Sequence, residues 1–198
     1  VDNGSEYYFD WLKASSKKFF SDTNRRRRKA VEALGPIRFN FNDPSSFEIE
    51  RLIKKKRAQY ERTNVNDSLK EAWKLRLLKE LFQHKDESFE PVLSTLYCGD
   101  TWLASHLGIK ANGILQYWLP VYEPEYRNFA PGRLLLLENI QALNEHGITT
   151  IDRGEGISDA KKDTANYIYQ MGKGSVAKRS ASLLLSKLLQ KYHWIKQA

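Results

Sequence analysis

Asp152 and Glu155 stand three residues apart in the run Asp-Arg-Gly-Glu-Gly, directly after a short apolar segment. A carboxylate at a strand end can take a proton from a nucleophile as a bond forms. The competing reading makes Asp152 a turn cap and Glu155 a solvated acid, because Asp side chains bond nearby backbone in such turns. His106 is another candidate base, since imidazole titrates near neutrality. A lone histidine in an apolar strand also suits a core position. Tyr122 and Tyr126 lie in a loop rich in Tyr, Glu and Pro. Their hydroxyls could donate protons or line an acceptor pocket, and ordinary aromatic packing is the alternative. Farther along, Pro131-Gly132 opens an apolar run at 134–137 that Ile140 and Leu143 continue at helical spacing. The first N–H groups of such a helix lack intrahelical partners, and the peptide dipoles add positive charge there. A phosphate group is the natural occupant.

These residues need elements to hold them. Residues 114–121 form an apolar and aromatic run of strand length. The loop and the helix opened by Pro131 follow. His146 and then Gly147 end that helix with a basic turn and a residue that tolerates positive φ. Residues 148–152 read as a short strand. The resulting β–loop–α–β unit implies two neighbouring parallel strands joined by a crossover helix. Asp152 and Glu155 then sit at the C-terminal end of a parallel strand, where ligands collect in such sheets.

The rest of the chain supplies layers around that unit. Residues 6–34 read as a basic helix with Tyr8, Leu12, Phe19, Ala30 and Leu34 near one stripe, stopped by Gly35-Pro36. Residues 37–42 alternate as a strand with one wet face. Ser45 and Glu48 form a capping box opening a helix that turns Ile49, Leu52, Ile53 and Tyr60 inward. Asp67 or Ser68 caps a second helix, with Leu69, Trp73, Leu77 and Leu81 at i, i+4 spacing. Residues 92–98 and 101–109 are strands about a Gly99-Asp100 turn, and Asn112-Gly113 is a hairpin signal leading into residue 114. Later, residues 166–171 read as a strand. Residues 177–196 read as an amphipathic helix packed on the domain. The expectation is an α/β fold with one mixed sheet of about six or seven strands, antiparallel early and parallel at the middle pair, flanked by helices. Its parts are a basic helix at 1–35, a main domain at 36–174 and a C-terminal helix at 175–198.

Composition narrows the function classes. The net charge of +8 makes polyanions plausible partners: nucleic acid, an acidic membrane or a phosphorylated cofactor. The excess gathers at Arg25, Arg26, Arg27, Arg28 and Lys29, at Lys54–Arg57, and in the C-terminal tail. The single cysteine, Cys98, forbids an internal disulfide and fits a reducing, cytoplasmic compartment. No apolar run approaches the roughly 18–20 residues that span a bilayer, and no signal-peptide pattern is present. One cysteine and four scattered histidines give no zinc pattern, so no metal site is expected. There is no Walker loop and no Gly-x-Ser-x-Gly elbow. The chain begins at Val1 and its only methionine is Met171, so a fragment of a longer protein is expected.

The order of elements resembles the GNAT acyltransferase superfamily. Gly99-Asp100, then Trp102-Leu103-Ala104-Ser105-His106-Leu107-Gly108, Tyr117-Trp118, Pro131-Gly132-Arg133-Leu134-Leu135, and Asp152-Arg153-Gly154-Glu155-Gly156 with Lys161 resemble the CelD-like acetyltransferase family of cellulose biosynthesis. The resemblance covers residues 8–171. A related double-GNAT architecture occurs in FemAB-like aminoacyl transferases, so the resemblance implies a C-terminal GNAT half and a missing N-terminal one. It also implies that two central strands splay apart to admit the pantetheine arm of acetyl-CoA or another acyl-CoA. Tyr117, Trp118 and Leu119 would then offer backbone groups to the pantetheine amides. Arg127, Ala130, Gly132, Arg133 and Leu134 would carry the pyrophosphate. Ala130 stands where the family pattern has glycine, and Pro131 removes one donor N–H. Asp152, Glu155, His106, Tyr122, Tyr126 and Lys161 are the implied catalytic set. The family's Tyr-Lys pair is here Ala160-Lys161, with Tyr167 and Tyr169 as substitute hydroxyls. The implied activity is acyl transfer to an amine or hydroxyl acceptor, in polysaccharide or cell-envelope biosynthesis. Two alternatives stand beside it. The basic clusters suit an aminoacyl-tRNA-dependent transferase. The Ala160 departure suits a non-catalytic polyanion-binding domain.

Overall fold

A computed structural model describes residues 4–43, 45–83, 86 and 88–172. The helix expected at 175–198 lies outside the described residues. In chain order the elements are α1 (Gly4–Ser15), α2 (Lys17–Leu34), β1 (Ile37–Asn40), α3 (Ser46–Arg62), α4 (Ala72–Leu81), β2 (Glu90–Cys98), β3 (Thr101–Ala111) and β4 (Ile114–Tyr122). A 3-10 helix (Pro124–Phe129), α5 (Pro131–Ala142), a second 3-10 turn (Asn144–His146), β5 (Thr150–Asp152) and α6 (Asp159–Lys162) follow.

The strands lie in the order β1-β2-β3-β4-β5. The first four are antiparallel, and β4 with β5 is parallel. The fold is therefore the mixed α/β sheet expected, with five strands among the described residues rather than six or seven. The parallel pair closes this order instead of sitting in its middle. The missing strand is the run 166–171, which forms no ladder among the described residues. Its alternation is a local signal only. A strand also needs a partner edge, and β5 presents just three residues.

Side-chain alternation builds two apolar layers. Val92 and Leu93 are neighbours on β2, yet they belong to different clusters, as opposite faces require. Val92 packs with Tyr8, Leu12, Phe19, Leu115, Tyr117 and Ile140, the layer of α1, α2 and α5. Leu93 packs with Ile49, Leu52, Leu78, Leu107 and Leu119, the layer of α3 and α4. α5 is the central helix: Leu134, Leu135, Leu136 and Leu137 are all buried. At about 1.5–3 kcal/mol each, they anchor it more firmly than any cap could. No described helix is long and apolar enough to cross a membrane.

Two boundaries differ from expectation, each for a local reason. The basic helix breaks at Ser16, whose φ of −129° and ψ of 48° are not helical. Ser15 Oγ donates to the Trp11 carbonyl at 2.8 Å, the kind of side-chain bond that competes with helix continuation. α4 starts at Ala72 rather than near Asp67. Asp67 Oδ1 accepts from the Leu69 N–H and Oδ2 takes Arg57, which fixes a turn there instead. The inward face of α4 is carried by Leu78, while Trp73 and Leu77 are exposed. By contrast, Ser45 Oγ accepts from the Glu48 N–H at 3.3 Å, so the cap read from the sequence is present.

Candidate active site

β4 and β5 pair over three residues only: Ile114 with Thr150, Leu115 with Ile151 and Gln116 with Asp152. β4 then runs on to Tyr122, so beyond Gln116 that edge has no strand partner among the described residues. The strands part where β4 carries a bulge. On the β3 side, Ile109 pairs with Gln116 but Leu107 pairs with Leu119, so an extra residue is accommodated at Tyr117–Trp118. The bulge re-phases the alternation. Leu115 and Tyr117 belong to the α5 layer, whereas Leu119 and Val121 belong to the α3–α4 layer. Opposite it lies Gly108. A Cβ there would come within 2.4 Å of the Gln116 carbonyl oxygen and 2.6 Å of His106 Nε2.

His106 props this bulge from inside. Its ring stacks on Tyr117 at 3.8 Å and 5°. Its Nδ1 is 3.4 Å from Ser94 Oγ, which donates to Asn139 Oδ1 at 2.7 Å. Complete burial pushes its pKa down to about 3, so the ring is neutral. With no route to solvent, His106 does not serve as the base considered for it. Lys161 is engaged with the backbone of the loop after β5. Its ammonium bonds the carbonyls of Gly154, Glu155 and Gly156 at 2.8–3.0 Å, which caps the loop after β5.

That loop holds the two carboxylates at the point of divergence. Asp152 Oδ1 accepts from the Gly154 N–H at 2.7 Å, so the turn-cap reading is realised, and the half-buried side chain remains at the mouth of the opening. Glu155 is exposed. Between them Arg153 turns inward, donating to the Ala160 carbonyl at 3.1 Å and to Thr164 Oγ1. Tyr8 donates to the Thr164 carbonyl at 2.8 Å, which brings α1 under the same loop. Burial raises the Tyr8 pKa to about 12 and raises that of Tyr117, with the Arg153 charge opposing both. Tyr117 Oη and Arg153 Nε are buried without a hydrogen-bond partner. Sequence reasoning gave Arg153 and Gly108 no role beyond the family resemblance, and it missed the bulge. An isolated glycine within a strand pattern is the signal that could have found the bulge.

The other end of the opening is the start of α5. Ala130 adopts φ 54° and ψ 51°, the left-handed conformation that the glycine of the family pattern adopts readily. Its carbonyl receives the N–H groups of Arg133 and Leu134. The Gly132 N–H has no partner among the described residues. Tyr122 Cδ1 is 3.8 Å from where a Gly132 Cβ would be. Tyr126 packs against Phe129, and Leu134 is core. Arg127 is exposed, Trp118 is 47% exposed at the bulge, and Leu119 is buried. Arg26 of α2 donates to the Asn128 carbonyl at 2.7 Å and so pins the loop.

The sequence candidates thus divide into two groups. Tyr122 lies six residues along β4 from Gln116, the register partner of Asp152. At the rise of a strand that is ~20 Å. Asp152 with Glu155 forms one end. Tyr122, Tyr126, Arg127, Ala130, Gly132 and Arg133 form the other. An extended ligand with an anionic tail fits such a track.

Residues 17–162 match the family described as Acetyltransferase (GNAT) domain. Among solved structures, an aminoglycoside acetyltransferase from an uncultured soil metagenomic sample, in complex with trehalose, is similar at 8% identity and TM-score 0.50. The alignment covers 75% of this chain and 99% of that one. A possible acetyltransferase from Clostridium difficile 630 is similar at 13% identity and TM-score 0.51, covering 72% of this chain and 99% of that one. At these identities the likeness is one of fold. No curated protein matches the chain in sequence.

Proposed function

We infer the function from one premise: the chain belongs to the acetyltransferase (GNAT) domain family. We propose that it moves an acetyl or other acyl group from acyl-CoA to an amine or hydroxyl acceptor. The observation that carries this reading is the parting of β4 from β5 beyond Gln116, with the unpartnered Gly132 N–H at the far end. Along that edge the backbone groups of Tyr117, Trp118 and Leu119 would receive the pantetheine amides. The Gly132 N–H and the α5 dipole would take the pyrophosphate.

Acyl transfer then proceeds at the Asp152 end. The acceptor nitrogen or oxygen attacks the thioester carbonyl, and the carbon–sulfur bond breaks. The proton lost by the acceptor passes to Asp152, directly or through water, with Glu155 beside it on the exposed side. Holding donor and acceptor together supplies much of the rate. Tyr122 and Tyr126 line the phosphate end, ~20 Å away by the strand rise, and so do not protonate the leaving thiolate. The CelD-like resemblance extends the proposal to an acceptor in polysaccharide or cell-envelope biosynthesis.

The state of the basic run favours this reading over a tRNA-dependent one. Arg25 and Arg26 pair with Asp22, and Arg27 pairs with Glu138 at 2.8 Å. Lys55 pairs with Glu123, and Arg57 with Asp67. Arg26, Arg27, Lys55 and Arg57 are thus each held by a carboxylate, and the charge left over on α2 lies beside the start of α5 rather than along a continuous basic track.

Calorimetric titration with acetyl-CoA, and thiol release from it in the presence of amines and amino sugars, test the proposal. Asp152→Asn is expected to leave acetyl-CoA affinity intact and to lower turnover about 10²–10⁴-fold. Absence of acetyl-CoA binding at millimolar concentration would sink the reading. Full turnover in the variant would remove Asp152 as the base.

A further inference from the structure

α2 brings more positive charge to the start of α5 than packing consumes. A cavity of about 710 Å³ is lined by Lys18, Asp22, Arg25 and Arg28 of α2, by Arg133 in the first turn of α5, and by Asp163. Positions 18, 22, 25 and 28 recur at helical spacing, so they share one face. Asp22 is already engaged. It pairs with Arg25 at 2.5 Å, Arg26 at 2.7 Å and Arg133 at 3.2 Å. Three guanidinium groups on one carboxylate leave a cationic surplus. Lys18 and Arg28 are exposed and have no carboxylate partner among the described residues.

We propose that this cavity seats the 3′-phosphate of coenzyme A, so that α2 makes the protein select CoA over its 3′-dephospho form. The proposal rests on the acyl-CoA reading above. A phosphomonoester carries close to two negative charges at neutral pH and offers three acceptor oxygens. Arg25, Arg28 and Arg133 supply planar donors that match those oxygens, and Lys18 adds a point charge. Arg133 belongs both to the first turn of α5, beside Gly132, and to the cavity wall. A nucleotide tail leaving the Gly132 N–H therefore meets this surface. The Arg26 bond to the Asn128 carbonyl fixes α2 against the loop, and with it the spacing between the two anion seats.

Titration calorimetry of the full chain with CoA and with 3′-dephospho-CoA decides the matter. CoA is expected to bind tenfold or more tightly. Arg28→Gln, alone and with Lys18→Gln, is expected to bring CoA affinity down toward the dephospho value and to leave 3′-dephospho-CoA binding unchanged. Lys54→Gln, on α3, serves as the control and should change neither. Equal affinities in the unmodified protein would overturn the inference while leaving the acyl-CoA reading in place. Binding of neither ligand would overturn both. An equal loss for both ligands in Arg28→Gln would also overturn it, because the charge would then act without regard to the 3′-phosphate. Inorganic phosphate that weakens CoA and 3′-dephospho-CoA binding equally would show that the surface takes phosphate without regard to the 3′ position, and would overturn it too.

Discussion

His106 shows how one residue can look catalytic in the sequence and be structural in the fold. A histidine between Ser105 and Leu107 carries no mark of whether its ring reaches solvent. Its place on β3, the middle strand, covered on both faces, decides it, and that place depends on strand pairing between residues distant in the chain. Once buried, the ring has a consequence for pH. Its folded pKa of about 3 lies below that of the unfolded chain, ~6.5. Protons therefore favour the unfolded state. The stability contributed by neutral His106 is complete above about pH 6.5 and is lost as pH falls toward 3, by ~1.4 kcal/mol per pH unit. Urea denaturation at pH 7.5 and pH 5.0 measures this. The unmodified protein is expected to lose ~2 kcal/mol more than His106→Asn over that interval. Parallel losses would mean that the ring titrates normally. The carboxylates were easier to read. Asp152 and Glu155 follow directly after β5, so their place at a strand end was visible, whereas the Asp152 turn and the inward Arg153 were not.

At the scale of elements, the unit from β4 to β5 was the most legible part of the chain. A continuous apolar strand, a Pro-Gly helix start and a helix-ending glycine are local signals that tertiary contacts do not override. The break at Ser16 and the late start of α4 were illegible for the opposite reason. Both turn on side-chain bonds, Ser15 to Trp11 and Asp67 to Leu69, that compete with nearly equal backbone alternatives. The start of α5 carries a specific cost. Ala130 holds a left-handed backbone, which disfavours any residue with a Cβ by ~1–2 kcal/mol. Glycine would relieve this but would raise the entropy of the unfolded chain by a comparable amount. Ala130→Gly is therefore expected to change stability by less than ~1 kcal/mol. Ala130→Val adds β-branching at positive φ and should cost at least ~1–2 kcal/mol more, with weaker acetyl-CoA binding. Chemical denaturation of the pair checks this. Equal stabilities would show that the turn is not held in the left-handed region.

Across the whole molecule, the basic N-terminal segment changes meaning. The sequence marks it as a basic helix at 1–35, set apart from a main domain at 36–174, with an apolar stripe along it. That stripe is buried. Tyr8, Leu12 and Phe19 lie in the same cluster as Leu115 and Tyr117 of β4 and Ile140 of α5. The described residues up to Asn166 belong to one compact unit. α1 and α2 are thus one of the two layers that cover the sheet, on the face that carries the central helix. Burial of each large apolar side chain is worth ~1.5–3 kcal/mol. Losing three, and exposing the β4 and α5 residues beneath them, would remove much of the ~5–15 kcal/mol that keeps an ordinary domain folded. Deleting residues 1–35 should therefore abolish the cooperative thermal transition seen by calorimetry and the near-ultraviolet circular dichroism of the aromatic core. It should not merely trim nucleotide affinity from an otherwise intact domain. A truncated chain that melts cooperatively near the temperature of the full one would show α1 and α2 to be an appendage. The Arg26 bond to the Asn128 carbonyl would then be a surface contact rather than part of the frame that sets the start of α5.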